Sequence, residues 1–219
     1  MRALVKSLVL VALAALPARA GDPMPPEEEP PRTSVGLEAR LALLRGDATR
    51  FNNQAGFGIG VYAHYRWWGR GPLGLWAGLD LFHDRFFQTV QVVVHGIDMT
   101  TGQPRDFMYE DSQQLTHTSF VAMQALRGAL GRWSMGAAGG AGFSVAHFYR
   151  PYDGITPMQD KSSVVPVVRA QGGVAYDAWR DTSLKLQFTY NWMFSDDTVI
   201  YGKPFTDVMD VGLGLVYRF

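Results

Sequence analysis

The chain ends on Val211-Gly-Leu-Gly-Leu-Val-Tyr-Arg-Phe219, and these nine residues decide how the rest is read. Successive side chains of an extended strand point to opposite faces. Val211, Leu213, Leu215, Tyr217 and Phe219 therefore share one face, and Gly212, Gly214, Val216 and Arg218 the other. Met209 and Asp210 prolong the same alternation toward the N-terminus. One face is continuously apolar to the last residue, while the other is mostly too small to be an ordinary solvated surface.

The pattern recurs upstream. Val35, Leu37, Ala39, Leu41 and Leu43 alternate with Gly36, Glu38, Arg40 and Ala42. Ala55, Phe57, Ile59, Val61, Ala63, Tyr65 and Trp67 oppose Gly56, Gly58, Gly60, Tyr62, His64 and Arg66. A third segment sets Leu73, Leu75, Ala77, Leu79 and Leu81 against Gly74, Trp76, Gly78, Asp80 and Phe82. A fifth sets Trp133, Met135, Ala137, Ala141, Phe143 and Val145 against small residues, and a seventh sets Leu184, Leu186, Phe188, Tyr190 and Trp192 against Lys185, Gln187, Thr189 and Asn191. Two segments are less regular. The fourth, near Thr116–Arg127, is read with Val121, Met123 and Ala125 on the apolar face, which turns Gln124 to the polar one. The sixth sets Val164, Pro166, Val168, Ala170, Val174 and Tyr176 against Arg169, Gln171 and Asp177. Pro166 lacks a backbone donor, so a place near the strand start or at a bulge is expected.

Eight one-sided strands fit either a soluble barrel with apolar faces inward or a membrane barrel with apolar faces toward lipid. The opposite faces carry Gly, Ala, Ser and a few charges of both signs, which suits a narrow packed interior better than a wet surface. Connections alternate in length, with short turns at 68–72, 130–132 and 179–181 and long polar loops at 45–54, about 86–114, 149–163 and 194–206. Trp67, Trp68, Trp133 and Trp179 cluster beside the short turns, where amphipathic rings favour a membrane–water interface. Phe86, Phe87, Phe148, Tyr149, Trp192 and Phe194 are expected to mark the other rim. The expected fold is all-β: a closed antiparallel up-and-down transmembrane β-barrel of eight strands.

The terminal aromatic, with Leu213, Leu215, Tyr217 and Phe219 at alternate positions, resembles the C-terminal insertion signal of bacterial outer-membrane barrels. Residues 33–219 are similar in pattern, length and terminus to the small eight-stranded family that includes the OmpA transmembrane domain and OmpX. The resemblance implies that Leu213, Leu215, Tyr217 and Phe219 are recognised by the barrel-assembly machinery, with outer-membrane lipid and lipopolysaccharide as surroundings and both termini in the periplasm. It brings no cofactor.

Residues 1–20 read as a cleaved signal peptide. Arg2 and Lys6 precede the apolar Leu8–Leu16, and Ala18-Arg-Ala20 provides a small-x-small cleavage pattern. Residues 21–32, with the run Pro25-Pro-Glu-Glu-Glu-Pro-Pro31, read as a disordered periplasmic leader, and 33–219 as the barrel. The 219 residues hold 20 basic and 20 acidic side chains and no cysteine. That composition excludes a disulfide framework and thiolate chemistry, and it gives no basic footprint for nucleic acid.

Glu38, Arg40, Arg66, Asp80, Arg169, Lys185 and Asp210 fall on the inward face, with His64 and Asp84 nearby. Buried charges are costly unless paired, so an interior ion-pair network is expected, either as a rigid plug or as a gate in a narrow path. His117 and Ser119 have the His-x-Ser spacing of lipid A deacylases, and if Val121 and Met123 face lipid, so do they. The acidic partner and neighbouring Asn of that family are not evident. His83, His95 and His147 lack ligand spacing, so no metal site is expected. Thr89–His95 and Asp106–Thr118 can pair as a projecting hairpin whose edge would suit a surface protein partner at 86–114, though a mobile loop against lipopolysaccharide is the alternative. The expected role is non-enzymatic, in envelope integrity or surface interaction through the external loops. A narrow gated pore and lipid A hydrolysis are the alternatives.

Overall fold

The computed structural model describes residues 32–45, 54–70, 72–151, 158–194 and 205–219. Eight strands follow one another: β1 (Thr33–Arg45), β2 (Ala55–Arg70), β3 (Leu73–Ile97), β4 (Pro104–Leu130), β5 (Trp133–Arg150), β6 (Gln159–Asp177), β7 (Thr182–Phe194) and β8 (Phe205–Arg218). Each pairs antiparallel with the next, and β1 also pairs with β8, from Ser34↔Arg218 to Arg45↔Asp207, so the sheet closes without an edge. The residues 1–31, and with them the expected signal peptide and leader, lie outside the described residues.

Period two in the sequence becomes inside and outside in the barrel. Leu37, Phe57, Ile59, Leu79, Phe188 and Leu215 are exposed on the outer face, while Glu38, Tyr62, Asp80, Gln187 and Val216 are buried inside. Interior glycines make room for the large inward side chains: a methyl group on Gly36 would collide with the Tyr62 ring. At the short-turn end the β4–β5 turn uses Gly131 at φ 59°, a conformation that a Cβ disfavours. Trp67 and Trp68 are both exposed although adjacent, because the β2–β3 register shifts between Arg66 and Trp68.

The interior is layered along the axis. Beneath the long-connection end, Leu44, Phe86, Leu115, Phe148, Val165, Met193 and Val208 form a dry apolar layer. A charged belt of Glu38, Arg40, Asp80, Asp84, Arg169 and Asp210 lies below it, and Tyr62, Trp76, Arg127, Lys185 and Arg218 line the lumen at the short-turn end.

Three expectations change. Val121, Met123 and Ala125 point inward, and Phe120, Gln124 and Leu126 point outward. The face of β4 is thus the reverse of the one read from its apolar residues, because Val121 and Met123 join the buried apolar cluster inside, Val121 beside Asp80. Phe86 and Phe148 are fully buried in the apolar layer and do not mark a rim, whereas Phe87 and Phe194 are exposed. Pro166 sits in the middle of β6, one residue beyond the last β6–β7 pair, Val167↔Met193. Its missing donor falls where the ladder to β7 stops, so it needs no bulge.

The span 86–114 is chiefly strand. β3 and β4 stay paired from Leu73↔Gly128 to Ile97↔Pro104, and only 98–103 form the tip. Pairing of β3 with β2 starts at Gly56↔Phe86 and pairing of β4 with β5 at Gln114↔Tyr149. Residues 88–97 and 104–113 are therefore a two-stranded ribbon, about 33 Å long at strand rise.

Candidate functional site

Two features set this barrel apart from a plain sheet cylinder: the belt inside and the ribbon outside. The belt is built around Arg40, which β1 points into the lumen. Its guanidinium hydrogen-bonds the Asp210 carboxylate and has Glu38 and Asp84 oxygens each at 3.7 Å. Asp210 also accepts from Asn191 Nδ2 at 2.8 Å. Opposite, Arg169 lies 3.8 Å from Asp80 and 3.9 Å from Glu38. Asp80 in turn meets His64 Nε2 at 2.7 Å, and Glu38 accepts from Gln187 at 3.2 Å. The Phe82 ring lies between the two arginines, 4.2 Å from Arg40 Cζ and 4.4 Å from Arg169 Cζ. Such cation–π contacts strengthen when desolvated.

The structure thus brings together five of the seven inward charges: Glu38, Arg40, Asp80, Arg169 and Asp210. Arg66 and Lys185 lie in the next layer, Arg66 donating to the Leu73 carbonyl at 2.8 Å and Lys185 resting on the Tyr62 ring at 4.3 Å. Asp84, Asn191, Gln187 and Arg127 join the interior network. Asp84 has the parity of Asp80, and Asn191 and Gln187 the parity of Lys185, so strand parity carried the signal for all three.

His117 and Ser119 are fully buried inside the barrel. Ser119 Oγ donates to Ser144 Oγ at 2.8 Å, and His117 packs edge-on to Phe86 within the apolar layer. Their expected lipid-facing placement is corrected: neither can meet a substrate held in the bilayer.

On the ribbon, Ile97 is 63% exposed, Met99 96% and Met108 73%. Cross-strand pairs hold it: His95 Nδ1 to Asp106 at 2.5 Å, and Arg105 to Asp98 at 3.2 Å. At the tip the Asp98 carboxylate accepts from the backbone N–H of Thr100 at 2.8 Å and of Thr101 at 3.3 Å. These bonds, with that from Arg105, hold its pKa below the usual carboxylate range. Of the other histidines, His83 pairs with Thr118 at 2.8 Å and His147 with Asp160 at 2.7 Å. Among the described residues no group of three or more His, Asp or Glu side chains could hold a metal ion.

Known proteins match this geometry. The family model for the outer membrane protein beta-barrel domain matches residues 7–219. Ail, the attachment invasion locus protein of Yersinia pestis, solved with the heparin analogue sucrose octasulfate, superposes with a TM-score of 0.52 at 13% identity, covering 87% of this chain and 100% of that one. Neisserial surface protein A superposes at 0.50 with 13% identity over 85% and 97% of the two chains. The outer membrane enzyme PagL superposes at 0.48 with 13% identity, covering 84% and 99%. No curated protein sequence matches the chain. At these identities Ail and Neisserial surface protein A speak for the fold alone. The family match over nearly the whole length says more: the chain belongs to the outer membrane protein beta-barrel family, proteins of the bacterial outer membrane.

Proposed function

We propose that the protein is a non-enzymatic barrel that acts at the cell surface through its external end, with a surface protein as partner of the β3–β4 ribbon. The observation that carries this reading is the ribbon itself. Residues 88–97 and 104–113 pair only with each other among the described residues, leaving backbone donors and acceptors on both outer edges. An unpaired edge with exposed Ile97, Met99 and Met108 beside it is a template for strand addition by another chain.

The apolar layer weighs against the narrow-pore reading, since an ion crossing it would shed hydration among mostly apolar side chains. The inward burial of His117 and Ser119 weighs against a lipid A hydrolase at those residues.

The test replaces 90–111 by Asn-Gly, which closes β3 on β4 with a two-residue turn. Cells carrying wild type or this variant are compared for attachment to protein-coated surfaces and for detergent sensitivity. Attachment is expected to fall while detergent sensitivity and heat-modified gel mobility stay as in wild type. Unchanged attachment overturns the proposal, and raised detergent sensitivity beside it points to envelope integrity instead.

A further inference from the structure

The short-turn end of the lumen is not filled. A cavity of about 290 Å³ lies there, lined from Pro72 and Ala129 at the turns up to Gln171 and Gln187 below the belt. Its wall on the β5–β6 side is Gly136, Ala138 and Gly173, whose lack of bulk leaves the space open. Arg66, Arg127, Lys185 and Arg218 all line it, together with Trp76 and Tyr62. No carboxylate does, among the described residues.

The four cations are not equivalent. Arg218 is neutralised by Asp177 at 2.7 Å, outside the lining. Arg127 donates to Ser34 Oγ at 3.2 Å, bonds His64 Nδ1 and stacks over Trp76 at 4.6 Å, so its neighbours orient it without opposing its charge. Lys185 meets the face of Tyr62. Among the described residues neither Arg127 nor Lys185 has a carboxylate within ion-pair distance. The carboxylates of the belt lie one layer toward the outside, engaged with Arg40, Arg169 and His64. Two oriented, partly desolvated cations at the wall of an open cavity favour an oxyanion there, because charge-assisted hydrogen bonds are strongest where water is scarce.

We propose that this cavity is a binding site for a small polyanion bearing carboxylate or phosphate groups, entered from the end of the barrel where β1 begins and β8 ends, with Arg127 and Lys185 as the principal ligand-binding residues. The shared chemistry has two sources. One is a diffusible solute. The other is the Glu27-Glu28-Glu29 run of this chain, which precedes Thr33 in sequence by only a few residues, a tether short enough to give a high effective concentration.

The experiment titrates pyrophosphate and citrate into refolded full-length protein in micelles at low salt, followed by calorimetry. Wild type, Lys185→Met, Arg127→Met and a Glu27→Gln/Glu28→Gln/Glu29→Gln variant are compared, with Arg105→Met on the ribbon as control. Heat-modified mobility reports that each variant is folded. Saturable binding is expected, weakened about tenfold by Lys185→Met, a loss of one charge-assisted contact, and unchanged by Arg105→Met. Tighter probe binding in the glutamine variant identifies the chain's own acidic run as the occupant, and equal binding identifies a free solute; both support the site. The proposal is overturned if neither probe binds wild type or the glutamine variant. It is equally overturned if binding survives both Lys185→Met and Arg127→Met in folded protein.

Discussion

Replacing Arg40 by Met tests whether the belt holds the barrel together or regulates a path through it. Methionine keeps an apolar stem against Phe82 but removes the one cation that touches three carboxylates, Asp210, Asp84 and Glu38. Arg169 cannot take over, since its own oxygens are those of Glu38 and Asp80. Removing one partner of a buried ion pair costs about 3–5 kcal/mol, mostly the cost of the charge left behind. Asp210→Asn should return part of that loss, because Asn191 can still hydrogen-bond the amide and one uncompensated charge is gone. The double variant is therefore expected to be less destabilised than the sum of the singles, with a coupling of about 1–3 kcal/mol. The assay is urea unfolding of the refolded barrel, read by the gel shift between heated and unheated samples. Single-channel recording on the same samples supplies the second readout. With the apolar layer intact, conductance should stay at the wild-type level. A loss of stability under about 1 kcal/mol, or a large rise in conductance with stability unchanged, would refute the structural role and point to a gate.

Two further outcomes follow from the layers and the tip. Phe148→Ala opens a void in the apolar layer and is expected to lower stability by about 3–5 kcal/mol by urea unfolding, a cost set by how far Leu115 and Met193 relax into the space. At the ribbon tip, Asp98 is held below the usual carboxylate range, so its folded form binds a proton less readily than an unfolded one. The order it lends the tip is therefore complete above the ordinary carboxylate pKa and lost as pH falls through the lower folded value. Amide exchange at Thr100 and Gly102 should rise in that window, and in an Asp98→Ala variant the rise should be absent.

What could be read from the residues was whatever strand parity alone dictates. Glu38, Arg40, Asp80 and Asp210 were legible because each alternates with unmistakably apolar neighbours. On β4 parity misleads, because apolar side chains buried inside defeat the assumption that the greasier face meets lipid. Inside, Val121 and Met123 belong to the buried apolar cluster, while outside Ala122 and Gln124 are small or polar. A signal was present nonetheless. Arg127 shares parity with Val121 and Met123, and an arginine facing hydrocarbon costs far more than a glutamine there. The cavity was beyond reach for a different reason. It arises from the register that sets Gly136 against Gly173 and brings Arg127 and Lys185 to the same end of the lumen. Long-range register of that kind leaves no mark on local alternation. The ribbon was half visible: its two strands could be recognised, but its length depends on where the flanking ladders stop.

The seam between β1 and β8 has a consequence for how such a chain comes to exist. Ser34, the second residue of β1, pairs with Arg218, the last of β8. Every other ladder joins neighbours in sequence, but this one closes a loop on the order of 200 residues, an entropic cost of about 5 kcal/mol that no local contact offsets in advance. Until it forms, both edges of the sheet would present bare peptide groups to hydrocarbon, a cost of several kcal/mol for each group. A seven-strand intermediate is thus not a smaller version of the product but a state the bilayer rejects. Insertion becomes an all-or-none event, gated by the docking of β8 on β1, and a sheet that lacks β8 leaves nothing the membrane can keep.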